Sequence, residues 1–555
     1  MSATRRAPRA RKTSPAATST TGAPRPPQPN FRVLALAAVI IAAGAWAYSN
    51  SFGGVFVLDD VRAIVRNTTI RTLWPLSVPL SPPSESTVSG RPVANLSFAL
   101  SAALADEPAA AAPARGGAPG QLAALDSAPF HAGNLLIHLA AALALFGVVR
   151  QTLLSPRLRD RFEAAAPWLA FAVALLWVVH PLHTSAITYI VQRVESLMGL
   201  FYLLTLYCAI RASEGPGRVW AAAAAVAACA AGMGTKETMV TAPLMVALWD
   251  YLFGGSEKGR PTKIRWRLVG ALAATWLLLA FLVSREFRGP SVDLSPGTIW
   301  LYLRTQAEVI VHYLRLAFYP SPLVFFYDWP LVPAPIWMAW QAALLTALVA
   351  LTAAGIRTRQ PAAFLGAWFF LILASSSSVL PIVTEVAAEH RMYLPLAAVV
   401  ASVVIGFHLG VTRFMGRWTR AAAGAAAVAL IVAAGTLGAV TFARNAVYAS
   451  AEGLWADTVA KRPEDPRPRV AYAEALARAG RVSEAETQLW RAVELAPGDP
   501  TARVRLGSVL AQQSRYEQAA AQFNAALALR PGDVDALRFL GEIDAIQRRE
   551  RRGVR

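Results

Sequence analysis

The sequence predicts an all-α protein in two parts, a polytopic bundle of about eleven transmembrane helices followed by a short helical-repeat solenoid. Three observations predict it. The 555-residue chain is 55% hydrophobic and only 16% charged, with mean hydropathy +0.41, where soluble domains carry roughly 25% charge. Twelve apolar segments follow one another from residue 33 to residue 441. After Phe442 the composition turns to Ala, Glu and Arg with helical periodicity.

The elements can be justified in order. Residues 1–32 are rich in Ala, Pro, Ser, Thr and Arg and hold no acid. Such a tail cannot bury enough apolar surface to fold. The first apolar run reads as a retained helix behind a cytoplasmic tail rather than a cleaved signal, because so many apolar segments follow it. A helix needs about 20 apolar residues to cross a bilayer. Candidates lie near 33–49, 132–150, 166–181, 186–210, 218–234, 238–254, 268–284, 298–319, 335–355, 361–381, 394–412 and 421–441. The net charge of +19 collects in the tail and in short loops such as "SPRLRDR", "SEKGRPTKIRWR", "IRTRQ" and "TRFMGRWTR". That is the pattern of cytoplasmic loops, and no interleaving of aromatic and basic residues argues for nucleic acid. Placing those loops inside leaves no room for segment 298–319 to cross. It is also the most polar, with Arg304, Gln306, Glu308, His312 and Arg315, and it is expected in the outer interface or re-entrant. The result is eleven crossings, with residues 33–445 as the membrane domain. Its first loop, 50–131, faces the outer (periplasmic or lumenal) side.

Residues 446–550 contain a 34-residue period. Pro463, Pro497 and Pro531 are 34 apart, as are Asp465, Asp499 and Asp533, and Leu506-Gly507 matches Leu540-Gly541. Small residues at fixed places let paired helices pack closely. This is the tetratricopeptide pattern, outward facing by the same topology and suited to hold a peptide or protein. Cys208 and Cys229 lie in apolar segments and imply no disulfide framework.

The polar oddities gather in the outward loops. "VFVLDDVRAI" places Asp59 beside Asp60. Adjacent carboxylates share one field, so one pKa should rise. One of them could act as a general base on a hydroxyl while the other orients a hydrogen bond or a divalent metal, Mg or Mn. Lys236 in "GTKET" and Arg391 in "TEVAAEHRMYLP" stand at outer membrane borders, where a lipid phosphate would lie. Arg193 and Glu195 lie within a span, and a buried ion pair between them competes with a substrate role. His180 and His183 flank a proline without a third ligand for a metal. His131 and His138 read as hydrogen-bonding links between helices. Carboxylates and cations on one side of a membrane suit an anionic, lipid-linked substrate.

In order, "FVLDDVRAIVRN", "RPVANLSFAL", "FHAGNLLIH", "HPLHTSAITYIVQRVES", "GTKETMVTAP" and "EHRMYLP", followed by the repeats, make the chain resemble the transmembrane and tetratricopeptide-repeat-containing O-mannosyltransferase-like proteins. These belong to the GT-C class of membrane glycosyltransferases. The resemblance implies inverting transfer of a sugar from a polyprenyl-phosphate donor to an acceptor hydroxyl. It implies Asp59 and Asp60 as the catalytic pair, with Asp59 favoured as base, and Arg391, Lys236, His390 and Tyr393 around the donor phosphate. Arg91, His131, His180, His183, Arg193, Glu195, Glu237 and Glu389 are kept as substrate-binding or structural. The resemblance fixes no cofactor, and a divalent metal, Mg or Mn, at Asp59 or Asp60 would fit. The acceptor it implies is an exported protein, through a Ser or Thr, or a glycan, with the repeats available to hold it. The Ala/Arg-rich composition resembles that of a high-GC bacterium, which implies undecaprenyl phosphate and the inner membrane. The repeats are far fewer than in animal members, and segment 105–121 matches no motif. A non-catalytic scaffold for periplasmic assembly, or a flippase for the same lipid, fits the same sequence.

Overall fold

The computed structural model describes residues 31–84, 86–105, 125–213, 217–254, 264–285, 295–331, 339–377, 385–416 and 418–553. The basic tail to residue 30, the insertion from residue 106 and most of the "SEKGRPTKIRWR" loop lie outside them. Among the described residues every regular element is helical.

Each of the twelve apolar segments forms a helix. Among the described residues six helices are long and apolar enough to cross a membrane: Ala128–Leu153, Ile190–Arg211, Trp266–Arg285, Ala339–Arg357, Pro395–Met415 and Arg420–Ala449. A seventh candidate is Ala166–Val178 with Pro181–Ile187, bent by 51° at the break. Pro181 explains the bend, since it has no N–H to continue the ladder. Phe31–Ala47 and Arg218–Met233 are apolar but shorter. The eighth segment is one unbroken helix, Pro296–Phe318, and is not among the six. Its buried face carries Tyr302, Gln306, Val309 and Tyr313, at helical spacing of three and four.

Proline starts several of these helices: Pro92, Pro129, Pro243 and Pro395 occupy first-turn positions, where the missing N–H has no partner to lose. Packing then relies on small residues. Ala141, Ala142, Ala170 and Ala174 are fully buried, which lets backbones approach where lipid gives no hydrophobic drive between helices. Gly199 is the tightest case. A Cβ there would stand 2.5 Å from the Tyr393 ring. Gly199→Ala is expected to lower the unfolding temperature of the detergent-purified protein, because overpacking costs about 1–3 kcal/mol.

The bundle has two chemically distinct ends. At one, Arg265 pairs with Asp250 and donates to the Ala209 carbonyl, Arg157 donates to the Leu252 carbonyl, and Arg359 lies over Tyr251. At the other, residues 55–60, 189–195, 234–237, 323–328 and 385–391 meet.

The C-terminal helices pair as the 34-residue period requires, beginning with Pro466–Arg478 and Val482–Leu495, then Pro500–Gln512 and Tyr516–Leu529. Gly507 shows why the repeat keeps a small residue: a Cβ there would stand 2.7 Å from Phe523. The solenoid is fixed to the second, acidic end of the bundle. The Val55 N–H donates to the Tyr448 carbonyl at 3.1 Å, and Arg444 pairs with Asp457 of Ala451–Lys461, the first helix of the module.

Candidate functional site

The two adjacent aspartates have opposite surroundings. Asp60 is fully buried. One of its oxygens accepts from the Val57 N–H at 2.9 Å, and the other from the Val191 N–H at 2.7 Å. It therefore clamps the first loop to the turn ahead of Arg193. Leu58 is held at φ 46°, a left-handed conformation that a bulky side chain resists; the Val57 N–H bond to the Asp60 carboxylate and the Asp60 N–H bond to the Val57 carbonyl both span it. The turn throws Asp59 outward. Its side chain is exposed, while its N–H donates to the Tyr189 hydroxyl at 3.1 Å.

One pKa of the pair rises, as adjacency suggested, but repulsion is not the main reason. Burial pushes the Asp60 carboxyl up to about 8, its two backbone donors oppose this, and Asp59 adds a smaller push. The folded value lies above the usual one, so the stability this group contributes is full below about pH 4. It is lost as pH rises through 8. The unfolding temperature of the purified protein should fall across that window. In Asp60→Asn, which has no proton to lose and keeps only one acceptor, the baseline should be lower and the decline shallower. An identical slope in both proteins would assign the decline elsewhere.

Around Asp59 stand three further polar segments. Lys236 pairs with Glu195. Arg91 pairs with Glu237 at 3.2 Å and donates to the Thr87 carbonyl at 2.7 Å. The short turn Glu389–Met392 supplies the rest. There Arg391 is 2% exposed and donates to the carbonyls of Val386 and Glu385 and to the Tyr302 hydroxyl. Its nearest carboxylate, Glu385, is 3.9 Å away, the same distance as from His390 to Glu385. Glu385 lies deep in the site yet keeps over a third of its side chain open, at 37%. Burial raises its pKa, Arg391 lowers it, and Asp59 raises it again. Asp59, Arg391, Lys236 and Glu195 therefore all lie within electrostatic reach of one carboxylate. His390 is driven well below its usual pKa by burial, then by Lys236, Arg391 and Arg91. It is therefore neutral at pH 7.

Several expected residues do something else. Arg193 is not paired with Glu195. It donates to Asn134 Oδ1, the carbonyls of Ser97 and Phe130, and Ser101 Oγ, with the Phe98 ring 4.6 Å away. Five donors in a planar fork suit neutral acceptors on three sides, and Glu195 is left to Lys236. Tyr393 is fully buried. Its hydroxyl meets His138 Nδ1 at 3.0 Å and its carbonyl accepts from Trp177, so it faces the bundle and not the cluster. His138 also reaches the Val178 carbonyl, and His131 the Gly54 carbonyl. His180 uses Nδ1 for the Leu182 N–H and Nε2 for the Ala317 carbonyl, while His183 is enclosed by Trp177 and Tyr393. His180 is committed to those bonds, both ring nitrogens of His183 are buried without a hydrogen-bond partner, and among the described residues no group of three ligand side chains forms around the pair. Glu389 points away from the cluster, accepting from the Val324 N–H at 2.6 Å and the Tyr327 hydroxyl at 2.8 Å.

Sequence reasoning overlooked Glu385 and Tyr189. Glu385 stood inside the quoted "TEVAAEHRMYLP", but one acid in an irregular loop carries no spacing signal. Tyr189 is separated from Asp59 by 130 positions.

A divalent metal was one expectation for the aspartate pair. Among the described residues no three His, Cys, Asp or Glu converge on one point, and both Asp60 oxygens already accept backbone N–H bonds. These groups do not build a metal site around Asp60.

A membrane-helix bundle carries an acid–cation cluster at one end with tetratricopeptide helices fixed beside it, and the chain is similar to transmembrane and tetratricopeptide-repeat-containing proteins. The tetratricopeptide repeat family matches residues 466–509. Among relatives, the chain is 31% identical over 310 residues to "Protein O-mannosyl-transferase Tmtc2" of Drosophila melanogaster, covering 52% of this chain and 30% of that protein. It is 32% identical over 177 residues to "Protein O-mannosyl-transferase TMTC1" of Mus musculus, covering 30% and 16%, and 29% identical over 201 residues to mouse "Protein O-mannosyl-transferase TMTC3", covering 34% and 18%. The matches thus span less than a third of the length of these curated relatives. No solved structure matches the chain.

Proposed function

We propose that the chain is a GT-C-class glycosyltransferase that moves a sugar, mannose or similar, from a polyprenyl-phosphate donor to a protein Ser or Thr hydroxyl, on the outer side of a bacterial inner membrane. The supporting observation is the gathering of exposed Asp59 with Lys236, Glu385 and Arg391 at one end of the bundle. The opposite end carries Arg157, Arg265 and Arg359, as a cytoplasmic face would. The names of the relatives point to the same reaction.

In this reading Asp59 accepts the proton of the acceptor hydroxyl as its oxygen attacks the anomeric carbon. The bond from that carbon to the phosphate oxygen breaks, and its electron pair leaves with the polyprenyl phosphate. Attack opposite the leaving group inverts the centre. Lys236 meets the phosphate directly by exchanging Glu195 for it. Arg391, bonded to Val386, Glu385 and Tyr302, fixes the turn and contributes its charge, a stabilisation that grows as the leaving phosphate gains charge. Asp60 holds the Asp59 turn and takes no proton from substrate. No step is routed through a metal.

The test is label transfer from polyprenyl-phosphate [3H]mannose to a Ser/Thr-rich peptide by the full-length protein in detergent. Incorporation removable by β-elimination is expected; donor binding with no transfer under any acceptor would sink the reading. Lys236→Ala should raise the donor KM by about tenfold, the loss of one charge-assisted contact.

A further inference from the structure

We propose that the first tetratricopeptide helices are a working part of the reaction centre, with residues 320–329 as the strap that connects them to both halves of it. The inference rests on the glycosyltransferase reading for its catalytic consequence, but its structural claim stands separately.

The strap is held on the solenoid side by four contacts. Lys461 donates to the Leu323 carbonyl at 2.9 Å. Arg467 pairs with Asp328, and the Asp328 N–H donates to Asp465 at 3.3 Å. Trp455 packs edge-on to Phe325 with ring centres 5.3 Å apart. These partners lie in Ala451–Lys461, in Pro466–Arg478 and in the turn between them.

On its other side the strap reaches both chemical elements. The Val324 N–H and the Tyr327 hydroxyl both donate to one oxygen of Glu389, two residues before Arg391. Phe325 packs against Tyr189 at 5.1 Å, and the Tyr189 hydroxyl accepts from the Asp59 N–H. The same three-residue stretch, 325–327, thus contacts the holder of Asp59 and, through Tyr327, the carboxylate that anchors the Arg391 turn. Leu323, Val324 and Tyr327 are all buried, so a shift of the solenoid cannot be absorbed by a loose loop. Glu389 and Tyr327 are positioning residues in this arrangement, since neither faces the Asp59 cluster. The repeats then matter for every acceptor, including one too small to touch them.

A reciprocal charge exchange tests this. In Arg467→Asp, three carboxylates would meet at Asp328 and Asp465, opening the clasp; adding Asp328→Arg restores opposite charges. Hydrogen exchange of the full-length protein in detergent should speed up at 55–61 and 385–392 in Arg467→Asp by at least threefold, and return toward wild type in the double variant. Unchanged exchange at both segments in the single variant overturns the structural claim, whatever the activity. Turnover of polyprenyl-phosphate [3H]mannose with N-acetylthreonine amide, an acceptor that cannot span to the repeats, should fall at least fivefold in kcat for Arg467→Asp and for Glu389→Gln. The double exchange should recover it. Full turnover in the single variants with Asp59→Asn inactive would leave the repeats as acceptor selectors only, overturning the inference while sparing the reading beneath it. Full turnover in Asp59→Asn would instead strike that reading.

Discussion

Asp59→Asn is expected to reduce sugar transfer by about a hundredfold to ten-thousandfold, the contribution of a positioned general base, while the unfolding temperature changes little. The two halves of this expectation come from different observations. The Asp59 side chain is exposed, and its fixed contact, with Tyr189, is made by the backbone N–H, which Asn retains. Asp60→Asn should show the opposite profile. It removes one of the acceptors that secure Val57 and Val191, so stability falls first and activity falls with it. Transfer assays with polyprenyl-phosphate [3H]mannose beside thermal unfolding in detergent separate the two. If Asp60→Asn were catalytically dead at wild-type stability and Asp59→Asn active, the assignment would be reversed.

That division of labour was only half legible in the sequence. Two adjacent acids beyond a greasy segment announce a polar site at one end of the bundle, and the charge distribution puts it opposite the basic loops. Which acid is buried depends on where residues 189–191 fold back, a contact across 131 positions that no local pattern encodes. The helices and the repeats were legible because they are periodic. Pro463, Pro497 and Pro531 mark the solenoid by subtraction, and a stretch such as "LLIHLAAALALFGVV" can hardly be anything but a helix. Charged residues within helices were misread for one reason. Spacing along a helix shows which residues share a face, not which partners the rest of the bundle offers. Arg193 and Glu195 are two apart, so they do not face each other, and the structure sends each to a different neighbour. His390 shows the same limit from the electrostatic side: a basic-looking motif residue is kept neutral by its burial and, after that, by the cations around it.

The placement of Glu385 gives the cluster its logic. A half-open carboxylate stands 3.9 Å from both Arg391 and His390, where it partly offsets a buried guanidinium whose hydrogen bonds all go to neutral groups. If the site takes a donor phosphate, as proposed above, that phosphate brings the same sign of charge to the same neighbourhood, and protonation of Glu385, eased by its raised pKa, would relieve the repulsion.

Arg193→Lys should be the most damaging conservative change in the membrane domain. The guanidinium reaches Asn134, Ser97, Ser101 and Phe130, tying Pro92–Ala102 and Ala128–Leu153 to its own helix. A lysine has three donors at a single point and cannot serve acceptors spread around a planar fork. At least one buried acceptor loses its partner, at about 1–3 kcal/mol each, and the charge sits in a more compact, more strongly hydrated group that is costlier to bury. Gly133 makes repair harder, because even a Cβ there would lie 2.8 Å from the guanidinium; the pocket is cut to this side chain. The expected result is a drop in monodisperse protein on size-exclusion chromatography and a lower unfolding temperature. Arg193→Ala should be at least as severe, since it orphans all four acceptors. A substrate-binding role makes the contrary forecast, a stable Arg193→Lys protein with a raised donor KM, and the two outcomes can be read from the same preparation.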